Sequence, residues 1–267
     1  MTIAKWMSLA GALATYGTAV GAQDVKHEMG MMMQPGASGM KIAVRSPAAG
    51  SKVTGNRVRL QVTTNGFRES CALAGKPNRA GQGHYHVLLD KSLVDMFCTP
   101  TATISLAGVN PGAHTLTVVP AQNDHTEIEQ NARSVSITFQ PSRPVPPATA
   151  TAFAGAPSIK IVSPKAGAIV SGSFNVVVDV KNFTLTCDEM GKPPVAGHGH
   201  WHLNLDTMSG PMMGMMTMTA MSCQRVLHVS TAGLKPGSSH TLIALLANNV
   251  HAPLGTTLSD KVQVKVR

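Results

Sequence analysis

The chain has 267 residues, of which 43% are hydrophobic, 4% aromatic and only 13% charged. Its 25 Gly and 17 Pro residues favour short strands and turns over long helices. The 22 basic residues exceed the 13 acidic ones and give a net charge of +9, but they are scattered along the chain. Without a basic cluster, nucleic-acid binding is not expected.

The first 22 residues have the pattern of an export signal. Lys5 precedes an apolar run that ends in Val20-Gly21-Ala22, with small residues at the predicted cleavage site. The run is too short and too rich in Gly and Thr for a good membrane span, and no second run of about 18 apolar residues follows. We therefore predict a periplasmic or secreted protein without a transmembrane segment, beginning with a flexible Met- and His-containing segment at 23–40.

The rest of the chain is a tandem repeat. Residues 68–90 and 184–206 share Cys, Gly-Lys-Pro, Gly-x-Gly-His-aromatic-His and a final Asp. Residues 108–125 match 233–251 in the same way, at a larger offset, because a Met-rich insert lengthens the second copy. Repeats of this size are whole domains, not units of a solenoid.

Each repeat is predicted to be an immunoglobulin-like β-sandwich, so the fold class is all-β. Short alternating runs recur about every 10 residues between Gly, Pro and Asn turns, as this fold requires. The predicted domains are 41–140 and 158–267, joined by a stiff Pro-rich linker at 141–157. In the first copy, strands A, B, C, F and G are expected at 41–45, 57–65, 83–90, 114–121 and 134–139.

Strand C of each repeat carries a His-x-His pair around one aromatic residue. Because side chains alternate along a strand, Tyr85 and Trp201 are predicted to face the core and the flanking histidines to point outward together. Two residues along a strand are about 6.6 Å apart, within reach of one metal ion. The alternative is a pair of surface imidazoles on an exposed sheet. The pairs are His84 with His86 and His200 with His202.

A third histidine is predicted to join each pair. Strand F lies beside strand C in an immunoglobulin topology, so residues that follow F approach the start of C. His125 and His251 each close an Asn-x-His segment at this position. Three imidazoles with an open fourth position resemble a zinc or copper site, whereas the alternative is a segment that merely supports a turn. His198 is a further candidate ligand in the second repeat only, where the first repeat has Gln82.

His114 and His240 are predicted to be structural instead. Each follows a Pro-Gly turn and opens strand F, where many sandwiches place a Tyr that bonds to the backbone. An imidazole can make the same bond.

The cysteines are predicted to pair within repeats. An even number of cysteines in an exported chain indicates disulfides, here Cys71 with Cys98 and Cys187 with Cys223. Thiolate ligation of a metal beside the histidines is the alternative, which export disfavours.

Seven methionines lie within the 14-residue insert 208–221. Thioethers are soft ligands that favour Cu(I), so we predict copper as the metal, with zinc as the second choice. The other interpretations are flexible gap-filling and sacrificial oxidation of Met. The candidate ligands of the insert are Met212, Met213, Met215 and Met216.

The segments GHYHVLLD and GHWHLNLD, with PGAHTLTV and PGSSHTLIAL, resemble the bacterial DUF4399 family. The resemblance extends to NDHTEI and NNVHAPL and covers about two thirds of each repeat. It implies exported immunoglobulin-like domains with a Gly-His-x-His strand and a Pro-Gly-x-His-Thr-Leu strand. It supports the fold and the location but implies no reaction.

The sequence therefore predicts an exported, non-enzymatic metal-binding protein, for copper, whose partner is a metal ion. The first alternative is a structural or adhesion module of the cell envelope that binds an envelope protein and no metal. The second is a copper enzyme of the superoxide dismutase type, which also uses His-x-His but carries a bridging His-rich loop not found here.

Overall fold

The computed structural model describes residues 39–210, 215–255 and 258–267. The predicted export signal, residues 23–38 of the predicted flexible segment, and Met212 and Met213 lie outside the described residues. Within the described ranges, no helix is both long and apolar enough to cross a membrane.

The first repeat forms two packed sheets, as predicted for a β-sandwich. The strands are β1 (Lys41–Ser46), β2 (Ser51–Val53), β3 (Arg57–Asn65), β4 (Arg68–Glu69), β5 (Gln82–Leu89), β6 (Ser92–Phe97), β7 (Thr101–Ser105), β8 (Gly112–Ala121) and β9 (Arg133–Phe139). One sheet has the order β1-β3-β7, and the other has the order β2-β9-β8-β5-β4 with β6 also paired to β5.

The second repeat has the same topology. Its strands are β10 (Ser158–Ser163), β11 (Ala168–Val170), β12 (Ser173–Lys181), β13 (Thr184–Leu185), β14 (His198–Leu205), β15 (Met218–Ser222), β16 (Val226–Ser230), β17 (Ser239–Ala247) and β18 (Ser259–Val266). The sheets have the orders β10-β12-β16 and β11-β18-β17-β14-β13, with β15 also paired to β14. Short 3-10 helices cover Cys71–Leu73, Glu129–Asn131 and Met215–Thr217.

The two sandwich cores follow from alternating apolar residues. Val58, Leu60 and Val62 of β3 are buried, while the residues between them are exposed. Tyr85 and Trp201 are fully buried between the sheets of their own repeats, which confirms their predicted inward orientation. Each aromatic still satisfies its polar atom, because the Tyr85 hydroxyl donates to a backbone carbonyl and the Trp201 indole N–H does the same.

Both predicted disulfides are present, Cys71–Cys98 and Cys187–Cys223. None of the described cysteines is free, so thiolate ligation of a metal is wrong. Each bridge joins the loop before the His-x-His strand to the end of the strand that follows it, β6 or β15. Disulfides persist in oxidising compartments, which indicates an extracytoplasmic protein.

The two repeats belong to one compact unit. The outer face of each His-bearing sheet packs against the other repeat. Backbone carbonyls of β15 and β6 reach His125 and His251 of the opposite repeat, respectively. Arg57 of the first repeat also pairs with Asp188 of the second at 2.9 Å. The face expected to be exposed is therefore buried, and the alternative of two surface imidazoles on an open sheet is wrong.

Candidate metal centres

Three histidines meet in the first repeat. His84 and His86 lie two residues apart on β5, so both side chains leave the same face of the sheet. His125 follows β8, which pairs antiparallel with β5. The Nε2 of His84 lies 3.1 Å from Nε2 of His86 and 3.0 Å from Nδ1 of His125, and the last two atoms are 3.2 Å apart. Each of these side chains is at most 4% exposed.

The second repeat builds the same arrangement. The Nε2 atoms of His200 and His202 on β14 are 2.8 Å apart. His251, which follows β17, places its ring centroid 4.6 Å from that of His200. All three ligand atoms lie within 4.8 Å of one another, and all three residues are buried. Both predicted trios are thus brought together, each able to hold a metal ion.

The loop that presents the third histidine has an unusual backbone. His125 and His251 have φ angles of 66° and 61°, in the left-handed region that residues other than glycine seldom adopt. In each repeat the backbone N–H of this histidine donates to the carbonyl three residues earlier and closes a tight turn. Such conformations cost about 1 kcal/mol and persist where the surrounding structure requires them, often at functional sites.

Hydrogen bonds at the far side of each ring decide which nitrogen faces the first centre. The Nε2 of His125 lies 2.7 Å from the carbonyl of Met218, which can only accept, so this nitrogen carries the hydrogen. The Nδ1 of His86 donates to the Glu127 carboxylate at 2.6 Å. His125 Nδ1 and His86 Nε2 therefore carry lone pairs, and both face the Nε2 of His84.

In the second centre, hydrogen bonds also fix which ring nitrogen is unprotonated, but the partners differ. The Nε2 of His251 donates to the carbonyls of Leu93 and Val94 at 3.0 and 3.2 Å. Its Nδ1 carries the lone pair and is buried with no hydrogen-bond partner. Pro253 stands at the position that Glu127 occupies in the first repeat, since Ala121 bridges to Glu127 and Ala247 to Pro253. No carboxylate is available at that position to orient His202.

The spacing and protonation of the nitrogens suit a metal ion. Ligands about 2.0–2.1 Å from a tetrahedral metal are about 3.3 Å apart, close to the separations in the first triad. Burial lowers the pKa of His125 and of His202 to about 3 and that of His251 to about 4, so these rings are neutral at pH 7. Neutral imidazoles present the lone pairs that a metal needs.

The structure places His198 outside the second triad. Its Nε2 lies 2.6 Å from the Thr151 hydroxyl, and its Nδ1 lies 3.1 Å from both carboxylate oxygens of Glu189. Both ring nitrogens are therefore engaged with the linker and with a neighbouring loop. His198 is better described as a residue that anchors the linker than as the additional ligand predicted from the sequence.

The described part of the Met-rich insert packs between the repeats. Met215 is buried in an apolar cluster with Ala74 and Met96 of the first repeat and with Met218. Met216 packs against Gly210 within the insert itself. Met215 therefore fills the contact between the domains as an adaptable apolar side chain.

Two methionines that were not among the predicted ligands stand opposite a histidine of each pair on the neighbouring strand. Met96 pairs with His86 across β5 and β6, and Met221 pairs with His202 across β14 and β15. Directly opposite residues of antiparallel strands project from the same face, with Cβ atoms about 4.5–5.5 Å apart. The sequence signal was a repeated Met-x-Cys, 96–98 and 221–223, in strands that otherwise share little.

His114 and His240 occupy corners, as predicted. The Nδ1 of His114 donates to the Asp90 carboxylate at 2.6 Å and its Nε2 to the Asn110 carbonyl at 2.8 Å. His240 bonds Asp206 in the same way, but its Nε2 faces the Ser238 hydroxyl instead of a carbonyl. The predicted backbone bond is therefore confirmed for His114 only.

No family model matches the chain, and no curated relative matches it. Similar solved structures include fibronectin(III)-like modules of Clostridium thermocellum CbhA, with 14% identity, 85% of this chain and 94% of that chain covered, and a TM-score of 0.27. CopC from Methylosinus trichosporium OB3b has 13% identity, 40% and 98% coverage and a TM-score of 0.25. The Dpr11 IG1 complex with DIP-gamma has 9% identity, 85% and 99% coverage and a TM-score of 0.21.

The sheet topology makes the chain an all-β protein of two β-sandwich domains, and its solved neighbours include immunoglobulin and fibronectin(III)-like modules. TM-scores and identities this low carry no argument about a shared ligand or activity. The resemblance to the DUF4399 family stays a prediction, because no family model matches.

Proposed function

We propose that the protein is a periplasmic or secreted, non-enzymatic metal-binding protein with one centre in each repeat. The observation that carries this proposal is the convergence of buried lone pairs. In the first triad, the hydrogen bonds to Met218 and Glu127 leave His125 and His86 with their unprotonated nitrogens facing His84. The Nε2 of His84 can donate at most one hydrogen to these two lone pairs. Burying a lone pair without a donor is costly, and a cation bound among the three nitrogens removes that cost.

Copper is the metal we propose, with zinc as the second choice. Both triads supply imidazole, which suits either metal. Met96 and Met221 project from the same sheet faces as His86 and His202, so each repeat offers one thioether from the strand next to its histidine pair. Thioethers favour Cu(I) over zinc, and their presence in both repeats supports copper.

A binding role is favoured over catalysis because the centres are closed. The six histidines are at most 4% exposed, and each triad is covered by a strand of the opposite repeat. A catalytic metal needs a position open to substrate. A purely structural or adhesive role would not explain why a buried cluster of imidazole lone pairs occurs in both repeats. A metal-binding experiment distinguishes the two roles.

The test is metal content and stoichiometry of the full chain purified from an oxidising compartment. We expect two copper ions per chain, falling to one when His84→Asn and His86→Asn are combined, and to one when His200→Asn and His202→Asn are combined. The matched control combines His114→Gln with His240→Gln, which removes two histidines and leaves both triads intact. A wild-type chain that binds neither copper nor zinc, or a control that loses as much metal, contradicts the proposal.

Superoxide turnover by the copper-loaded chain is measured on the same samples. The proposed binding role predicts a rate of superoxide turnover no greater than that of a copper complex with a small peptide. Faster turnover that disappears with the triads would favour the enzyme instead.

A further inference from the structure

The repeated Gly-Lys-Pro motif lies outside both triads, yet it touches the opposite repeat in each copy. Lys76 is only 5% exposed. Its Nζ donates to the carbonyl of Ala72 in its own loop and to the carbonyls of Ser230 and Ala232 in the second repeat, at 2.7–2.8 Å. A buried ammonium with three carbonyl acceptors is a specific contact and not a solvated surface charge.

Lys192 makes the equivalent contact from the second repeat to the first. Its Nζ donates to the backbone carbonyl of Asp188 in its own loop and to the backbone carbonyl of Ala107 in the first repeat. The receiving turns are equivalent, because Ala107 N donates to Ser105 Oγ in the first repeat just as Ala232 N donates to Ser230 Oγ in the second. Burial lowers the pKa of both lysines to about 8, so both remain protonated at pH 7.

The glycine of the motif permits the same close approach. Gly75 has a φ of 70°, and a Cβ there would lie 2.6 Å from the backbone carbon of Met218. Gly191 has a φ of 75°, and its Cβ would lie 2.8 Å from Cγ2 of Val94. The carbonyls of Met218 and Val94 also accept the hydrogen bonds from His125 and His251, respectively. Each Gly-Lys-Pro loop therefore packs on the strand that orients the third ligand of its own repeat.

The motif is also bonded directly to the loop of that third ligand. Gly75 N donates to the Asn123 carbonyl at 2.7 Å, and Gly191 N donates to the Asn249 carbonyl at 2.8 Å. The Asn249 side-chain amide returns a bond to the carbonyl of Pro193 at 3.3 Å. Each asparagine stands two residues before the third histidine. A continuous set of contacts therefore runs from the other repeat through the lysine loop to the metal ligand.

We propose that Lys76 and Lys192 are positioning residues that couple metal binding to the docking of the two repeats. The inference rests on the proposed function. Each third histidine is oriented by the opposite repeat, so a separated pair of repeats lacks the geometry of the bound state. By linkage, a metal that binds the docked form more tightly also stabilises docking. The repeats then act as one unit that opens for loading or release and closes around two ions.

The experiment compares the full chain carrying Lys76→Met and Lys192→Met with a control carrying Lys52→Met and Lys165→Met. Lys52 and Lys165 are exposed, and the control has the same composition and net charge as the test variant. Cu(I) affinity is measured by competition with a chromophoric chelator. We expect the test variant to bind about tenfold or more weakly, as found for groups that orient metal ligands, and the control to match wild type.

Hydrogen exchange provides the reverse measurement. Adding Cu(I) to wild type should slow amide exchange in 92–97 and 218–222, the strands that face the opposite triads, and should slow it less in the lysine variant. Near-wild-type Trp201 fluorescence verifies that the second sandwich is folded. Where the double variant does not fold, each single lysine variant is measured, with the same expectation for its own triad.

Folded lysine variants that bind copper as tightly as the control, with equal protection of the two strands, overturn this inference and leave the proposed function standing. A wild-type chain without metal affinity overturns both. Weakened affinity together with reduced protection supports the coupling.

Discussion

The two triads share one backbone plan but differ in what surrounds the ligands. In the first, a carboxylate holds His86, since Glu127 accepts its Nδ1 hydrogen at 2.6 Å. In the second, Pro253 occupies the corresponding position and offers no acceptor side chain. The three histidines therefore recur in both repeats, whereas the carboxylate that orients His86 does not recur. Carboxylate partners raise the basicity of an imidazole ligand, so the two centres should differ in affinity.

The largest expected difference comes from removing that carboxylate. We expect Glu127→Gln to weaken Cu(II) or Zn(II) binding at the first centre by about 10–100-fold, the range for second-layer partners of metal ligands. The measurement is isothermal titration in a chain whose second triad is disabled by His200→Asn and His202→Asn. Glu129→Gln, at an exposed position two residues away, is the control.

The comparison can also be tested in the opposite direction. Pro253→Glu should strengthen divalent binding at the second centre, measured with the first triad disabled by His84→Asn and His86→Asn. Unchanged affinity in both Glu127→Gln and Pro253→Glu would mean that the carboxylate does not distinguish the centres.

A smaller effect is expected where the two centres are alike. Met96→Leu and Met221→Leu should each lower Cu(I) affinity several-fold at their own centre and leave Zn(II) affinity unchanged, because only copper gains from a thioether. X-ray absorption should show a Cu–S distance of about 2.3 Å in wild type, similar to other metal–sulfur bonds. Met190→Leu, a buried methionine outside both His pairs, is the control. Equal loss of copper and zinc affinity would indicate a packing role only.

The smallest effect concerns the corner histidines. Burial alone would lower the pKa of His114, but its hydrogen bonds to Asp90 and the Asn110 carbonyl outweigh burial and raise it. A folded-state pKa above the unfolded value gives stability that is complete below the unfolded pKa and is lost as the pH rises through the folded pKa.

We therefore expect His114→Gln to destabilise the chain more at about pH 5.5 than at about pH 8.5. Denaturant unfolding of variant and wild type at both pH values measures the difference. A loss that is independent of pH would show that the histidine acts through neutral hydrogen bonds alone.

Much of the fold and of the ligand set could be predicted from local patterns. The strands expected at 41–45, 57–65 and 114–121 correspond to β1, β3 and β8 within two residues. Alternation alone placed Tyr85 in the core, because a strand has two faces and only one can meet the opposite sheet. The third histidines followed from topology, since neighbouring antiparallel strands bring the end of one beside the start of the other.

The sequence was less informative where a residue contacts the linker, a neighbouring loop or the other repeat. His198 continues the His-x-His alternation, yet Thr151 and Glu189 take both of its nitrogens. Met215 belongs to a stretch without core periodicity, yet it is buried between domains. The prediction of Met215 as a ligand assumed an open outer sheet face, which the first repeat covers.

The sequence by itself determined the all-β class, the duplication, the cysteine pairing and the two histidine trios. Each of these follows from local periodicity or from spacing that recurs within the chain. Only the tertiary structure decided that the histidine faces are buried against each other and that backbone carbonyls of one repeat fix the ring nitrogens of the other. The physical reason is that every residue has a backbone carbonyl, so the residue type does not indicate which carbonyl accepts a hydrogen bond. Its position depends on how the two sandwiches pack against each other.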